Sequence, residues 1–422
     1  MYQAVPQLLH PSSCERVVSE PSIAVSCAID VIIAGGGPAG LSLACLLADR
    51  GMNVTVIERQ SEQAIAEPAA DGRDIALTHR SIRILADIGV WAELTPAEIA
   101  PIRCAEVRNS NQAARLRFDA GKAGRDSLGY LVSNAVLRRE LYRAAKQRTR
   151  ITLRTDEAAS CIQLEDAAAE VSLASGETFS APLFVAADSR FSELRRMAGI
   201  GADLRDFGHL CIVCRLNHEK PHDGTAHEWF DIDQTLAVLP LNDRTSSIVL
   251  TQPASVGRKT LELPPEEFAG EIERRLGACW GRMVLDGSRH AYPLVAVYAD
   301  RFSGKRFALA GDAAVGMHPV TAHGFNFGLR GAETLATKVG QAAQAGCDIG
   351  AASVLDSYAR EHRAATLPLY LATNAIVRLY TDNTAPARVL RHGLLRIANA
   401  VSPAKNFMLR KLTEIDRGLA SA

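Results

Sequence analysis

Three acids follow short apolar runs in this chain: Glu58 ends NVTVIE, Asp188 ends LFVAAD and Asp312 comes just after RFALA. Two glycine clusters, GGGPAG at residues 35–40 and GDAAVGMHPVTAHGFNFGL at residues 311–329, each lead into a stretch with helical spacing of apolar residues. A carboxylate at the tip of a strand can accept hydrogen bonds from sugar hydroxyls. Bare backbone at the start of a helix offers N–H groups and a positive dipole end to an anion. The chemistry these residues suit is recognition of a ligand carrying both hydroxyls and phosphates. An isolated strand-end aspartate is more often a helix cap, but three such acids in this order exceed what caps predict.

The elements that position these residues can be read nearby. Residues 29–34 (IDVIIA) are β-branched and apolar, as a strand buried on both faces should be. Gly35, Gly37 and Gly40 stand in GxGxxG register before LSLACLLADRG, a helix that stops at Gly51, and NVTVIE supplies a second strand. In such a βαβ unit the first glycine permits the tight turn, the second admits a pyrophosphate, and the third lets helix and strand pack closely. Glu58 lies where a carboxylate meets an adenosine ribose. The motif does not separate FAD from NAD.

Composition narrows the remaining classes. Lys plus Arg and Asp plus Glu balance at 47 each, so no global field attracts nucleic acid. Nine scattered cysteines suit a reduced, cytoplasmic protein. Only Cys211 and Cys214 have CxxC spacing, within HLCIVCRL, and without a second pair or a His cluster they read as packed thiols. Residues 1–27 carry no continuous apolar segment and read as a loose tail without a secretion signal, and nowhere do about 18 apolar residues run together to span a membrane.

GxGxxG, the AADSRFSELRR stretch and the GDAAVGMHPVTAHGFNFGLRGAETLA stretch together resemble the aromatic hydroxylase class of FAD monooxygenases. Within that class the chain is similar to the ubiquinone-biosynthesis hydroxylases of the UbiH, UbiF and VisC group, with wording nearest the UbiM type. The resemblance covers most of residues 28–375. It implies an α/β fold: a Rossmann-like FAD-binding domain, a mostly antiparallel substrate sheet and C-terminal helices. Gly35, Gly37 and Gly40 become the pyrophosphate turn, Glu58 the ribose ligand, and Arg59 a neighbour of the adenine. Arg73 would reach the FAD phosphate or ribose region, and Asn134 would lie near the cofactor. Gly311 and Asp312 would hold the ribityl chain, Pro319 would sit over the flavin edge, and Gly324, Phe325 and Asn326 would meet the pyrimidine end of the ring. The helix amino terminus there suits the negative charge a reduced flavin carries. Three departures from the family pattern concern reductant handling: Ser189 where Asp-Gly is common, His323 for a glutamine, and Gly331 for an acid.

The expected domains are a tail over 1–27, FAD-binding segments over 28–199 and 291–375, a substrate sheet over 200–290 to which about 100–125 contributes, and a C-terminal helical region over 376–422. His227, Trp229 and Pro240 are candidate lining residues of that sheet, each more readily explained as structural. His323, and with it Pro319, is the candidate for catalysis; His318 is the other nearby titratable group, and positioning is the simpler role for both histidines. Residues 370–412 carry Arg378, Arg388, Arg391, Arg396, Lys405, Arg410 and Lys411 against Asp382 alone. That stretch fits helices packed on the FAD domain, or a peripheral surface meeting anionic lipid on the inner membrane.

The resemblance implies that NAD(P)H or another donor reduces FAD, that O2 forms a C4a-hydroperoxide, and that a polyprenylated phenol or quinol is hydroxylated, with 5-demethoxyubiquinol among the candidates. Membership in a ubiquinone-biosynthesis complex is a further expectation. A flavin-dependent lipid or quinone reductase and a non-catalytic flavin-binding subunit stay open as alternatives.

Overall fold

The computed structural model describes residues 28–109, 115–231, 233–318 and 323–381. The tail over 1–27, Pro319 and the basic stretch from Arg388 to Lys411 lie outside them. The chain opens with β1 (Val31–Ala34), α1 (Pro38–Ala48) and β2 (Val54–Ile57), followed by β3 (Asp74–Leu77), α2 (Asn134–Lys146) and β4 (Leu183–Ala186). A run of strands comes next: β5 (Ala202–His218), β6 (Thr225–Asp231), β7 (Gln234–Pro240), β8 (Thr245–Pro253) and β9 (Met283–Ala299). Then come β10 (Phe307–Leu309), α3 (Gly324–Gln344) and α4 (Ala352–Thr381).

In the first sheet β10, β4, β1 and β2 lie side by side and parallel, with Ile151–Arg154 parallel beyond β2 and Ser303–Gly304 antiparallel beyond β10. β1, β2 and β4 are buried at every residue, which is why they are continuous apolar runs and not alternating ones. Parallel strands end on the same side. Glu58, Asp188 and Asp312 therefore follow the carboxyl ends of β2, β4 and β10 along one edge of the sheet, where ligands of open α/β sheets bind. Helix α1 is buried from Gly40 to Ala48 and packs on α3 through small residues. A Cβ added at Gly328 would lie 3.4 Å from the Ala39 Cβ, and one at Gly311 2.8 Å from it.

The second sheet runs β9, β5, β8, β7, β6, Cys104–Asn109, Arg115–Asp119, with Val315–Gly316 beyond β9. Every pairing is antiparallel except that between β6 and Cys104–Asn109. Register places Phe230, Thr235, Thr251, Cys211 and Tyr292 in one row of side chains. That face meets the first half of the molecule: the Tyr292 hydroxyl donates to the Asp71 carbonyl at 2.8 Å, and Arg215 pairs with Asp74 at 2.6 Å. On the opposite face Leu210, Ile212, Cys214, Leu236, Val238, Ile248 and Leu250 form a core with Phe268 and Ile272 of the helix Pro265–Arg275. Cys211 and Cys214 thus point to opposite faces, so their CxxC spacing brings no thiol pair together. Among the described residues no group of His, Cys, Asp and Glu could hold a metal ion, and no helix is long and apolar enough to cross a membrane.

Candidate functional site

The loop between β1 and α1 forms a cradle. Gly35 has φ +117°, a left-handed conformation that L side chains avoid, and a Cβ there would overlap the Ala187 carbonyl. A Cβ at Gly40 would overlap the Gly35 carbonyl oxygen, so only glycine lets α1 sit this close to the strand. Gly37 differs: among the described residues nothing lies within 4 Å of a Cβ placed there. It is the N-cap of α1, no side chain caps it, and Pro38 follows at the first helical position. The cradle is closed by protein at Gly35 and Gly40 and open at Gly37, the arrangement that admits a pyrophosphate to the helix terminus. At the tip of β2, Glu58 accepts from Gly36 N at 2.6 Å and from Gln60 N at 2.8 Å, which fixes the carboxylate beside the opening. Arg59 is exposed next to it.

Asp312 stands in the short turn after β10, entered through Gly311 at φ +60°. Its carboxylate accepts from Arg190 at 2.8 Å, and Arg190 also donates to the Val295 carbonyl at 2.9 Å. Buried Arg195 donates to the Ala313 carbonyl at 2.9 Å. Two arginines from the turn after β4 thereby tie it to the turn after β10. Neither was singled out from the sequence, although both lie in the stretch whose Asp188 was. Ser189 causes no strain where the family often has glycine: its φ is not positive, and its hydroxyl accepts from Phe191 N at 3.2 Å.

Arg73 and Asn134 meet at a residue the sequence reading passed over. Asp71 accepts from Arg73 at 2.6 Å and from the Asn134 amide at 2.8 Å, while Arg73 lies 5.3 Å over the Tyr292 ring. Burial opposes the charge on Asp71, but the Arg73 guanidinium and the Asn134 amide outweigh it and hold the carboxyl below its ordinary range. The sequence signal was the DGR triplet, an acid two residues before the arginine.

At the start of α3 the N-cap residue His323 makes no side-chain capping bond, and among the described residues nothing lies within 4 Å of a Cβ at Gly324. This is a second open helix terminus. Phe325 is partly buried, and His323 is buried edge-on to Phe327 with ring centroids 5.8 Å apart. The Asn326 side chain is held by protein: its carbonyl oxygen accepts from Thr78 N at 3.0 Å and its amide donates to the Ala76 carbonyl at 2.8 Å, joining α3 to β3. Gly331, another departure, makes room for His362, whose Nε2 would lie 2.8 Å from an added Cβ. His318 is buried with its ring edge-on to Phe207 at 5.2 Å; burial, helped by the nearby His209 charge, pushes it down to about 4, so it is neutral at physiological pH.

Between β5, β6, β7 and β8 on one side and His318 and Val377 on the other lies a cavity of about 60 Å³, lined by Phe207, Phe230, Thr235, Thr251 and Leu294. His227 and Trp229 do not face it. They stack at 4.9 Å on the other side of β6 and meet Trp280, and Pro240 alternates on β7 with the core residues Leu236 and Val238. From β6 the cavity is lined by Phe230 and Asp231, and Glu228 stands two residues before Phe230 on the same face.

A parallel sheet with a glycine cradle, strand-end acids along one edge, and a second sheet covering a second open helix terminus define a flavoprotein of the aromatic-hydroxylase fold. Residues 28–368 match the FAD binding domain family. Ubiquinone hydroxylase UbiM of Neisseria meningitidis is 42% identical over 388 residues, covering 91% of this chain and 84% of that protein. Ubiquinone hydroxylase UbiL of Rhodospirillum rubrum is 34% identical over 381 residues, covering 90% and 88%. The fold is also that of p-nitrophenol 4-monooxygenase PnpA from Pseudomonas putida DLL-E4, with a TM-score of 0.70 at 19% identity over 92% of this chain and 98% of that one. The chain belongs to the FAD-binding-domain family, among the ubiquinone-biosynthesis hydroxylases.

Proposed function

We propose that the protein is an FAD-dependent monooxygenase that hydroxylates the aromatic ring of a polyprenylated ubiquinone precursor, using O2 and NAD(P)H or another donor. The observation that carries this reading is the pair of helix termini at Gly37 and Gly324, each open among the described residues, the first directly after β1 and the second on a helix packed on the turn that holds Asp312. They suit the two ends of one FAD. Bound there, FAD supplies the oxygen-activating redox chemistry.

The chain's own residues divide the remaining work. Gly35, Gly37 and Gly40 admit the pyrophosphate, Glu58 accepts from the adenosine ribose, and Arg59 lies by the adenine. Arg73, held by Asp71 and Asn134, presents a guanidinium to the phosphate or ribose region. Gly311 and Asp312 serve the ribityl chain. The amino terminus of α3, with Gly324, Phe325 and Asn326, favours negative charge at the ring. Pro319 stands in the same motif as a flavin-edge contact. His323, buried against Phe327, is a positioning group in this reading. The second sheet walls the reacting ring from water, which keeps reductant from being spent on peroxide. A substrate with a polyprenyl tail resides in the bilayer, so a cytoplasmic protein with peripheral contact through its basic C-terminal residues, alone or in a biosynthetic complex, is part of the proposal.

The test is twofold. The purified protein should show a flavin spectrum, and a strain lacking it should accumulate a quinone precursor short of one oxygen, identified by mass spectrometry. Flavin with an unchanged quinone pool would refute the substrate assignment, and NAD(P)H-driven turnover that proceeds without O2 would favour the reductase.

A further inference from the structure

The two faces of β6 differ in kind. His227 and Trp229 join an aromatic cluster with Trp280, while Glu228 and Phe230 look toward the flavin half. Across the sheet Glu228 stands in a row with Val107, Ala237, Val249 and Val213, and is the one polar side chain among these five. Thr235, from the next row, hydrogen-bonds its carboxylate. The Cys211 thiol, also in that row, feels the charges of both Glu228 and Arg73. Other charged or titratable groups on or facing this side of the sheet are His209 paired with Asp233, Tyr292, Arg215 paired with Asp74, His290 opposite Val213, and Asp231 and His318 at the cavity. Glu228 is largely surrounded by protein, and its partner Thr235 lines the cavity together with Phe230, the next residue of β6 on this face. A carboxyl in an apolar row costs stability, and such groups concentrate at functional sites.

We propose that Glu228 is the proton acceptor for the ring hydroxyl of the bound phenol; the role rests on the hydroxylase reading above. The substrate O–H bond breaks, its proton moves to the Glu228 carboxylate, and the electron pair stays on the ring oxygen, making the ring a stronger nucleophile. One atom of O2 enters the ring, the other leaves as water, and the donor supplies two electrons. The displaced ring proton is lost to solvent, and Glu228 returns its own proton to the ring oxygen as aromaticity is restored. Burial pushes the Glu228 carboxyl up to about 8, with Thr235 pulling it back, so it can both accept and return a proton near neutral pH.

The test uses the FAD-loaded full chain and 2-prenylphenol. Its dissociation constant, read from perturbation of the flavin absorbance, is followed from about pH 6.5 to about pH 9, below the phenol's own ionisation at roughly 10. In the wild type, binding tightens about tenfold as the ring hydroxyl gains a charged acceptor, with one inflection at about 8. Glu228→Gln, which keeps shape and hydrogen bonding, binds without an inflection. Thr235→Val moves the inflection to higher pH, because the lost hydrogen bond favoured the charged form. A wild-type constant independent of pH, or an inflection that persists in Glu228→Gln, overturns the assignment. Hydroxylated product is scored in the same samples: inflection without product overturns the hydroxylase reading and supports Glu228 as the acceptor, whereas product without inflection overturns Glu228 alone.

Discussion

Arg190 and Asp312, 122 residues apart in the chain, are joined by an ion pair of 2.8 Å that links the turn after β4 to the turn after β10. Both partners are partly exposed, so the pair adds at most about 1 kcal/mol to stability. Its larger effect is to hold Asp312 in place. Arg190→Ala should lower the melting temperature only slightly while raising the FAD dissociation constant several-fold; unchanged flavin retention would show that the turn keeps its shape without the arginine.

The cradle glycines separate folding from binding. Gly40→Ala drives a Cβ into the Gly35 carbonyl and should cost about 3 kcal/mol or abolish soluble expression. Gly37→Ala adds its methyl where no described residue lies within 4 Å and should leave apoprotein stability within about 1 kcal/mol while sharply weakening FAD. Thermal denaturation and flavin content, measured on both variants, decide the matter. Full flavin occupancy in Gly37→Ala would place the pyrophosphate elsewhere.

Asn326 should behave as a structural clamp. Asn326→Leu leaves Thr78 N and the Ala76 carbonyl without their buried partners, at a cost of about 2–4 kcal/mol in denaturant unfolding. A loss under about 0.5 kcal/mol would mean that the two groups find other partners.

His318 makes stability depend on pH. Its folded value of about 4 lies below the ordinary 6.5, so the unfolded chain takes up a proton there that the folded chain refuses. Between those values the contribution of His318 falls as pH falls, by about 1 kcal/mol per unit, and it is level above 6.5. Subtracting the unfolding free energy of His318→Gln from that of the wild type across this window should reveal the slope, and a flat difference would mean that the ring is protonated in the folded state.

Much of the nucleotide-binding half was legible because its rules are local. A buried parallel strand must be apolar throughout, a tight turn with positive φ needs Gly35, and an acid at a strand end is visible in a run such as NVTVIE. The order of three such acids already pointed to one ligand, and the match to a known family supplied which ligand. What the sequence could not determine depends on register and on contacts between distant segments. Alternation in AHEWFDI sorts His227 and Trp229 from Glu228 and Phe230, but only the pairing of β6 with β7 and the packing of the sheet decide which pair faces the flavin half. Nothing local marks Asp71, on which Arg73, Asn134 and Tyr292 converge, or Arg190, beside which the turn after β10 places Asp312. Backbone conformation follows from neighbours in the chain, whereas the partner of a charged side chain is chosen by whichever distant strand the core places next to it.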